Sequence, residues 1–566
     1  MKKLNKYVLA ALFTGALGTS CQDDFLNVQP LGALSIDQLQ NKQGVNLLLV
    51  GAYSLMDGVQ NNVGSAWPDW TGSGDNWIYG EVAADNAYKG SDSNDQPEIG
   101  LIEAYSGNSN LIHFRGKWRA VYDGVARTND VMQAIDKAAD MSATEKTQAQ
   151  AQARFLRGHY HFEAKKMYNN VPYIDDKTYI AADPSTTKIA NDKDIWPKIV
   201  EDLAFAYANL PAKWAGEPGR ANKWAAGALL AKAYLFQQKF ADAKPILEAI
   251  VASGQFSLMP LYHDNFRAVT NNNAESLLEV QFSINDGAPI NNNGNRGATL
   301  NYPYGGGVTN CCGFYQPSQN LVNAFKTDAN GLPVANFNAD DIPGVNSATY
   351  KENLDPRLDW TVGRQNIQFL DWGLHGAIYV RDQGYAGPYS PKKNVPYKAE
   401  VGVRTTANPR FNTNNYRMIR YSHVLLMLAE CEVEIGDLNK ARTLVNQIRT
   451  RASNPNGFVQ TAGNQPTYKI GTYTDPWTVQ ATARNAVRTE TRLELAMEGH
   501  RFFDLVRWGI ADQVINTYLS VEQNKRTYLK GAAFTKGKHE YYPIPQAEIL
   551  NSSVGGVATL KQNPGY

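Results

Sequence analysis

A helical hairpin that occurs twice constrains this chain more than any other feature. In residues 224–253, Leu230, Ala231, Tyr234, Phe240, Ala243 and Leu247 recur at helical spacing around a short polar turn, Gln237-Gln238-Lys239. Residues 425–452 repeat the pattern with Leu428, Ala429, Ala441 and Val445 around Gly436-Asp437-Leu438. In each, one alanine precedes another by twelve residues across the turn, Ala231 before Ala243 and Ala429 before Ala441. Small residues there let two antiparallel helices approach closely, while larger apolar side chains fill the groove between them.

This is the packing logic of tetratricopeptide (TPR) units, although any antiparallel helical hairpin would carry the same pattern. The two units are about 200 residues apart in a chain of 566, so the sequence does not read as an uninterrupted solenoid. Between them, residues 271–417 are rich in Gly, Asn, Pro and aromatics, and read as loops, short strands and small helices laid over the helical frame. Helical periodicity also covers 41–58, 114–167 and 484–519. Residues 63–110 form a long Gly-, Ser-, Asp-, Asn- and aromatic-rich stretch, too long to be a simple connector. The expected fold class is therefore mostly α: TPR-like pairs forming a frame, with one large irregular insertion, in a single domain over 21–566.

The first residues read as an address. Lys2, Lys3 and Lys6 precede an apolar run, and Leu17-Gly18-Thr19-Ser20-Cys21 follows, the layout of a secretory signal peptide over 1–20. The run is far shorter than the ~20 residues that span a bilayer. A cysteine directly after small residues resembles the lipobox of bacterial lipoproteins, with Gly18 where a large apolar residue is usual. Cys21 is thus the expected lipid anchor; an ordinary signal peptide cut nearby is the alternative. Removing 1–20 takes three lysines and no acid from 55 basic and 54 acidic residues, which leaves the mature chain slightly acidic. That balance argues against nucleic acid as a partner, because phosphate binding needs a basic excess.

Export implies an oxidising compartment, so Cys311 and Cys312 are candidates for a vicinal disulfide. Two reduced thiols, or one paired with Cys431, are the alternatives. Cys431 lies in a helical pattern and reads as a small core residue. No CxxC or Cys/His pairing with zinc spacing is present, and no metal site is assigned.

Three stretches carry a family resemblance: 491–509 (TRLELAMEGHRFFDLVRWG), the tail 542–566 with Tyr542-Pro543-Ile544-Pro545 and Asn563-Pro564-Gly565-Tyr566, and 420–430 (RYSHVLLMLAE). Together with Asp23-Asp24-Phe25-Leu26, Val171-Pro172-Tyr173 and Asp355-Pro356-Arg357, they resemble the SusD/RagB family of nutrient-binding outer-membrane lipoproteins of Bacteroidetes. The resemblance implies TPR-like helical pairs with a ligand-binding region on one side. It also implies a SusC-like, TonB-dependent barrel as partner, an outer-membrane location facing outward, and an oligosaccharide or, in the RagB branch, a peptide as ligand. In 491–509 the charges at Arg492, Glu494, Glu498, Arg501, Asp504 and Arg507 read as helix-surface ion pairs at three- or four-residue spacing, not as an acid/base site.

No GxSxG, Walker, HExxH or GxGxxG pattern is present. Two carboxylates placed by the fold would suffice for a glycosidase, so a surface glycoside hydrolase is the reading from a different class. Binding without cleavage fits better. A sugar offers C–H faces to flat rings and an edge of hydroxyls to amides, carboxylates and guanidiniums. The candidate contacts are Trp67, Trp70, Trp77, Tyr79, Asp85 and Asn86 in the first loop, and Tyr304, Trp372, Arg381 and Tyr385 in the insertion. Each of these aromatics could instead anchor its loop against the helices, and Asp85-Asn86 could be a structural turn. No cofactor is expected, and the sequence does not decide whether a calcium ion orders a loop.

Overall fold

The computed structural model describes residues 36–59, 68–309, 311–405 and 410–566; Cys21 and Trp67 lie outside them. The longer helices are α1 (Lys42–Tyr53), α2 (Ile112–Lys137), α3 (Ala143–Tyr168), α4 (Trp196–Asn209), α5 (Lys223–Phe236), α6 (Phe240–Ala252), α7 (Tyr421–Ile435), α8 (Leu438–Ala452), α9 (Gln480–Leu495), α10 (Arg501–Arg507) and α11 (Ala511–Glu522). Their ends follow from local chemistry. Ser142 and Glu145 form a reciprocal capping box at the start of α3. The Asn222 side chain accepts from the backbone of Trp224 and Ala225 at α5, and Asp437 does the same for Asn439 and Lys440 at α8.

Both hairpins form where the spacing placed them, α5/α6 and α7/α8, with Ala231, Ala243, Ala429 and Ala441 fully buried in the seams. Space then closes what sequence separates. Helices α2 to α6 pack in succession, and α6 packs directly on α7, so the frame is continuous although 168 residues lie between those two helices. The insertion leaves after α6 and returns at α7 without breaking the stack.

The strands are short and antiparallel: β1 (Ala87–Gly90) pairs with β3 (Phe314–Pro317), β2 (Ser276–Val280) with β6 (Tyr416–Arg420), and β4 (Val362–Gly363) with β5 (Ser390–Pro391). The β1–β3 pair joins the first loop to the insertion.

The ion pairs of 491–509 differ from the sequence expectation. Asp504 and Arg507 do pair at i,i+3, but both are nearly buried and Arg507 also grips Glu430 of α7. Arg501 turns away from Glu498 to Asp85 at 2.8 Å, while Glu494 and Glu498 reach Arg357, Lys393, Arg420 and Arg451. These charges are internal staples between distant segments, because the end of α9, the turn after it and α10 are buried against other parts of the chain.

The core side chains of the first loop are part of the same lock. A single turn, Trp77–Val82, lies against the 491–509 segment so closely that a Cβ on Gly80 would sit 2.0 Å from the Gly499 carbonyl oxygen. Glu81 then accepts hydrogen bonds from the backbone N–H groups of Gly499 and His500 at 2.9 and 3.1 Å, satisfying orphan donors at the entry to α10. Burial pushes its carboxyl up to about 7.

Candidate functional site

Four of the proposed ligand contacts are interior. Trp77 is fully buried, edge-on to Phe314 at 6.3 Å and tilted on Tyr315 at 5.6 Å. The Tyr79 hydroxyl donates to the carbonyls of Thr71 and His113, at 2.7 and 2.8 Å, inside the core. Asp85 is held between Arg501 and Arg492, and those guanidiniums, against the upward push of burial, bring its carboxyl down to about 2. Asn86 donates to Glu81 and accepts from Arg492. These residues carry the polar and aromatic signature of a binding loop because they lock that loop to the C-terminal segment, and none faces solvent. Trp70 is half-buried against the core and its Nε1 is buried without a partner among the described residues.

Tyr385 is likewise engaged. Its ring stacks on Tyr528 at 4.4 Å and 23°, and the Lys89 ammonium lies 5.0 Å from its centre. It clamps the insertion to the tail.

Among the candidate aromatics of the insertion, Tyr304 is the most open to solvent. The ring is 38% exposed, and the Arg381 guanidinium lies 5.5 Å from its centre. Arg381 is held by Asp92 and Asp95 at 2.8 and 2.7 Å, so a charged fork is fixed beside an aromatic surface. The Tyr304 N–H donates to the Tyr379 carbonyl at 2.8 Å, and Gly305 lies so close to Ile378 that a Cβ there would meet the Ile378 oxygen at 2.6 Å. That contact sets Ile378, 67% exposed, beside Tyr304.

Below this face, Tyr302, Val308, Phe369, Leu370, Tyr379 and Val395 form a small hydrophobic cluster separate from the main core. Trp372 packs at its edge, with Nε1 donating to the Pro396 carbonyl at 3.0 Å and the Arg404 guanidinium 4.9 Å from its ring. The vicinal disulfide between Cys311 and Cys312 is present, and the neighbouring Gly313 donates to the Tyr302 carbonyl at 2.9 Å. Cys431 is a buried free thiol in α7.

Of the sequence candidates, Tyr304, Trp372 and Arg381 keep part of their surface in water, and the sequence reading does not name Asp92, Asp95, Ile378 and Arg404, which lie against them. Leu374 and Ile378 are both exposed although they stand among other apolar residues, Trp372, Ala377, Tyr379 and Val380, so no local signal marks them. Asp92 and Asp95 are distant in sequence from Arg381, and nothing local announces the pairing.

All eight histidines are buried, from His113 in α2 to His539 in the tail. Burial holds each of them below the ordinary imidazole value. His161 is fixed between the Arg157 carbonyl and the Ile174 N–H, at 3.0 and 3.1 Å, while the neighbouring His159 packs on Tyr160. Among the described residues no group of three or more His, Cys, Asp and Glu is placed to hold a metal ion, and no helix is long and apolar enough to cross a membrane.

A stacked helical frame interrupted by a large irregular insertion defines a class of protein known from solved structures. A SusD superfamily protein from Bacteroides vulgatus superposes with a TM-score of 0.70 at 21% identity, over 93% of this chain and 100% of that one. The surface glycan-binding protein A of Bacteroides thetaiotaomicron, solved with laminarihexaose, gives 0.67 at 22% identity, over 92% and 99%. Among sequence relatives, SusD-like protein P25 of Formosa agariphila is 22% identical over 94% of both chains. The SusD family pattern matches residues 274–566, and a pattern described as starch-binding associating with outer membrane matches 24–235. The chain belongs to the SusD family.

Proposed function

We propose that this protein captures oligosaccharides without cleaving them and delivers them to a SusC-like, TonB-dependent barrel of the outer membrane. The observation that carries this reading is the exposed Tyr304 ring with Arg381 fixed beside it by Asp92 and Asp95. A pyranose laid on that ring would bury its C–H face, and the guanidinium and carboxylates would meet its hydroxyl edge. Ile378, exposed beside Tyr304, adds apolar surface, and the Trp372 indole packs on the supporting cluster. Support also comes from the laminarihexaose complex of the Bacteroides thetaiotaomicron relative.

The test is retention of the purified protein on a panel of neutral glycans, laminarin first, with reducing ends measured after incubation. We expect retention with no new reducing ends. The Tyr304→Ala variant should bind about tenfold more weakly, ~1.4 kcal/mol, with Arg381→Ala similar. Retention of peptides alone, release of reducing ends, or unchanged affinity in both variants would each defeat the proposal.

Cys21 is the proposed anchor, carrying more than one acyl chain, since a single chain binds a bilayer only marginally. Cys21→Ala should move the protein from the membrane fraction to the soluble one; persistence in the membrane fraction without acylation would rule the anchor out.

A further inference from the structure

A second cleft lies on the helical frame, away from the Tyr304 face. It has a volume of about 450 Å³, within the ~300–1,000 Å³ range of ligand sites. Two connections build it: the one between α4 and α5, which supplies Trp214, Glu217 and Arg220, and the one between α6 and β2, which supplies Gln255, Phe256 and Asn273.

Its walls are held in place from behind. Trp214 donates its Nε1 to the Ala221 carbonyl at 2.8 Å, and Phe256 stacks over Tyr421 of α7. Arg220 is anchored by Gln152 of α3 and Asn46 of α1, at 3.0 and 2.6 Å, and is paired with Glu217. Both rings are half-buried, so part of each remains open to the cleft.

The polar side of the cleft is amide-rich. Asn273 accepts from the Glu275 N–H through its oxygen, but its Nδ2 is buried and has no partner among the described residues. An unmet buried amide donor is unfavourable, and a ligand oxygen would satisfy it. Gln255 is exposed at the rim. The Glu217–Arg220 pair cancels its own charge, which leaves exposed Lys213 as the remaining cation.

We propose that this cleft is a second, independent binding site for a short neutral saccharide, with Trp214 and Phe256 as the ring surfaces and Asn273 as a hydroxyl partner. The chemistry distinguishes it from alternatives: two rings are too much flat apolar surface for a phosphate or carboxylate, and the amides and ion pair are too polar for an apolar chain. The choice of a saccharide rests on the function proposed above, but the cleft shares no residue with the Tyr304 face.

Titration calorimetry with laminarihexaose, and with the neutral oligosaccharides retained on the panel, tests this. The proteins compared are wild type, Trp214→Ala, Gln255→Ala, Tyr304→Ala and the Trp214→Ala/Tyr304→Ala double variant, each checked for a wild-type melting curve. Two equivalents should bind wild type, one should bind each of Trp214→Ala and Tyr304→Ala, and none the double variant. Gln255→Ala, an exposed change that leaves the frame intact, should weaken only the site that survives in Tyr304→Ala, by about threefold or more. One equivalent in wild type with no change in Trp214→Ala and Gln255→Ala overturns the second site and leaves the function standing. No sugar bound by any of the proteins overturns both.

Discussion

Glu494→Ala is expected to lower the unfolding free energy by about 3–5 kcal/mol, the range for removing one partner of a buried ion pair. Glu494 lies at the meeting point of three guanidiniums, from Arg357 of the insertion, Arg420 of β6 and Arg451 of α8, and all four side chains are at most a few per cent exposed. The network extends further. Arg357 also holds Glu490 and Asp355 at 2.6 and 2.7 Å, Arg449 reaches Glu490 at 2.8 Å, and Lys393 and Arg420 share Glu498 at 2.6 and 2.8 Å. Removing the central carboxylate leaves like charges buried together with too few acceptors, whereas the wild-type cluster offsets its own desolvation.

The same cluster predicts acid sensitivity. Against the upward push of burial, Arg451, Arg420 and Arg357 hold Glu494 well below the ordinary carboxylate value, and Arg420 with Lys393 lowers Glu498. A carboxylate depressed in the folded state contributes stability above its unfolded value, ~4, and loses it as pH falls through the folded value. Urea denaturation at pH 7 and pH 3 should therefore show wild type losing more on acidification than Glu494→Ala. A pH 7 loss below about 1 kcal/mol, or equal acid sensitivity in the two proteins, would contradict the role assigned to Glu494.

Trp77→Ala should cost about 3–5 kcal/mol of stability, the range for truncating a buried large aromatic, and should leave the glycan affinity of the folded protein unchanged. The indole fills the space between the first loop and β3, against Phe314 and Tyr315, and is fully buried. Tyr304→Ala should behave in the opposite way, since its ring is already partly in water. Thermal unfolding and glycan titration on the two variants separate the roles. A Trp77→Ala protein that melts like wild type but loses retention would restore the sequence reading of Trp77 as a platform.

That contrast shows where sequence is informative. The hairpins α5/α6 and α7/α8 were legible because the determinants are local: alanines at a fixed offset around a short polar turn. The pairing of Cys311 with Cys312 was also a matter of neighbours, although the sequence left other pairings open. Tyr304, Trp372 and Arg381 stay at least partly in water because a Gly- and Asn-rich insertion leaves some of its aromatics at the surface.

Burial was not legible in the same way. Trp77, Tyr79, Asp85 and Asn86 look like a ligand loop in isolation, and they are interior because Arg492, Gly499 and Arg501, some 400 residues later, pack around them. Likewise Glu494 and Glu498 read as a helix surface at three- and four-residue spacing, and only the arrival of Arg357, Lys393, Arg420 and Arg451 made that surface a core. The sequence by itself determined the helical pairs and their turns, since those depend on contacts within about thirty residues. The tertiary structure alone decided that α6 continues onto α7 and which aromatics stay in water, because both depend on contacts between segments that no local pattern relates.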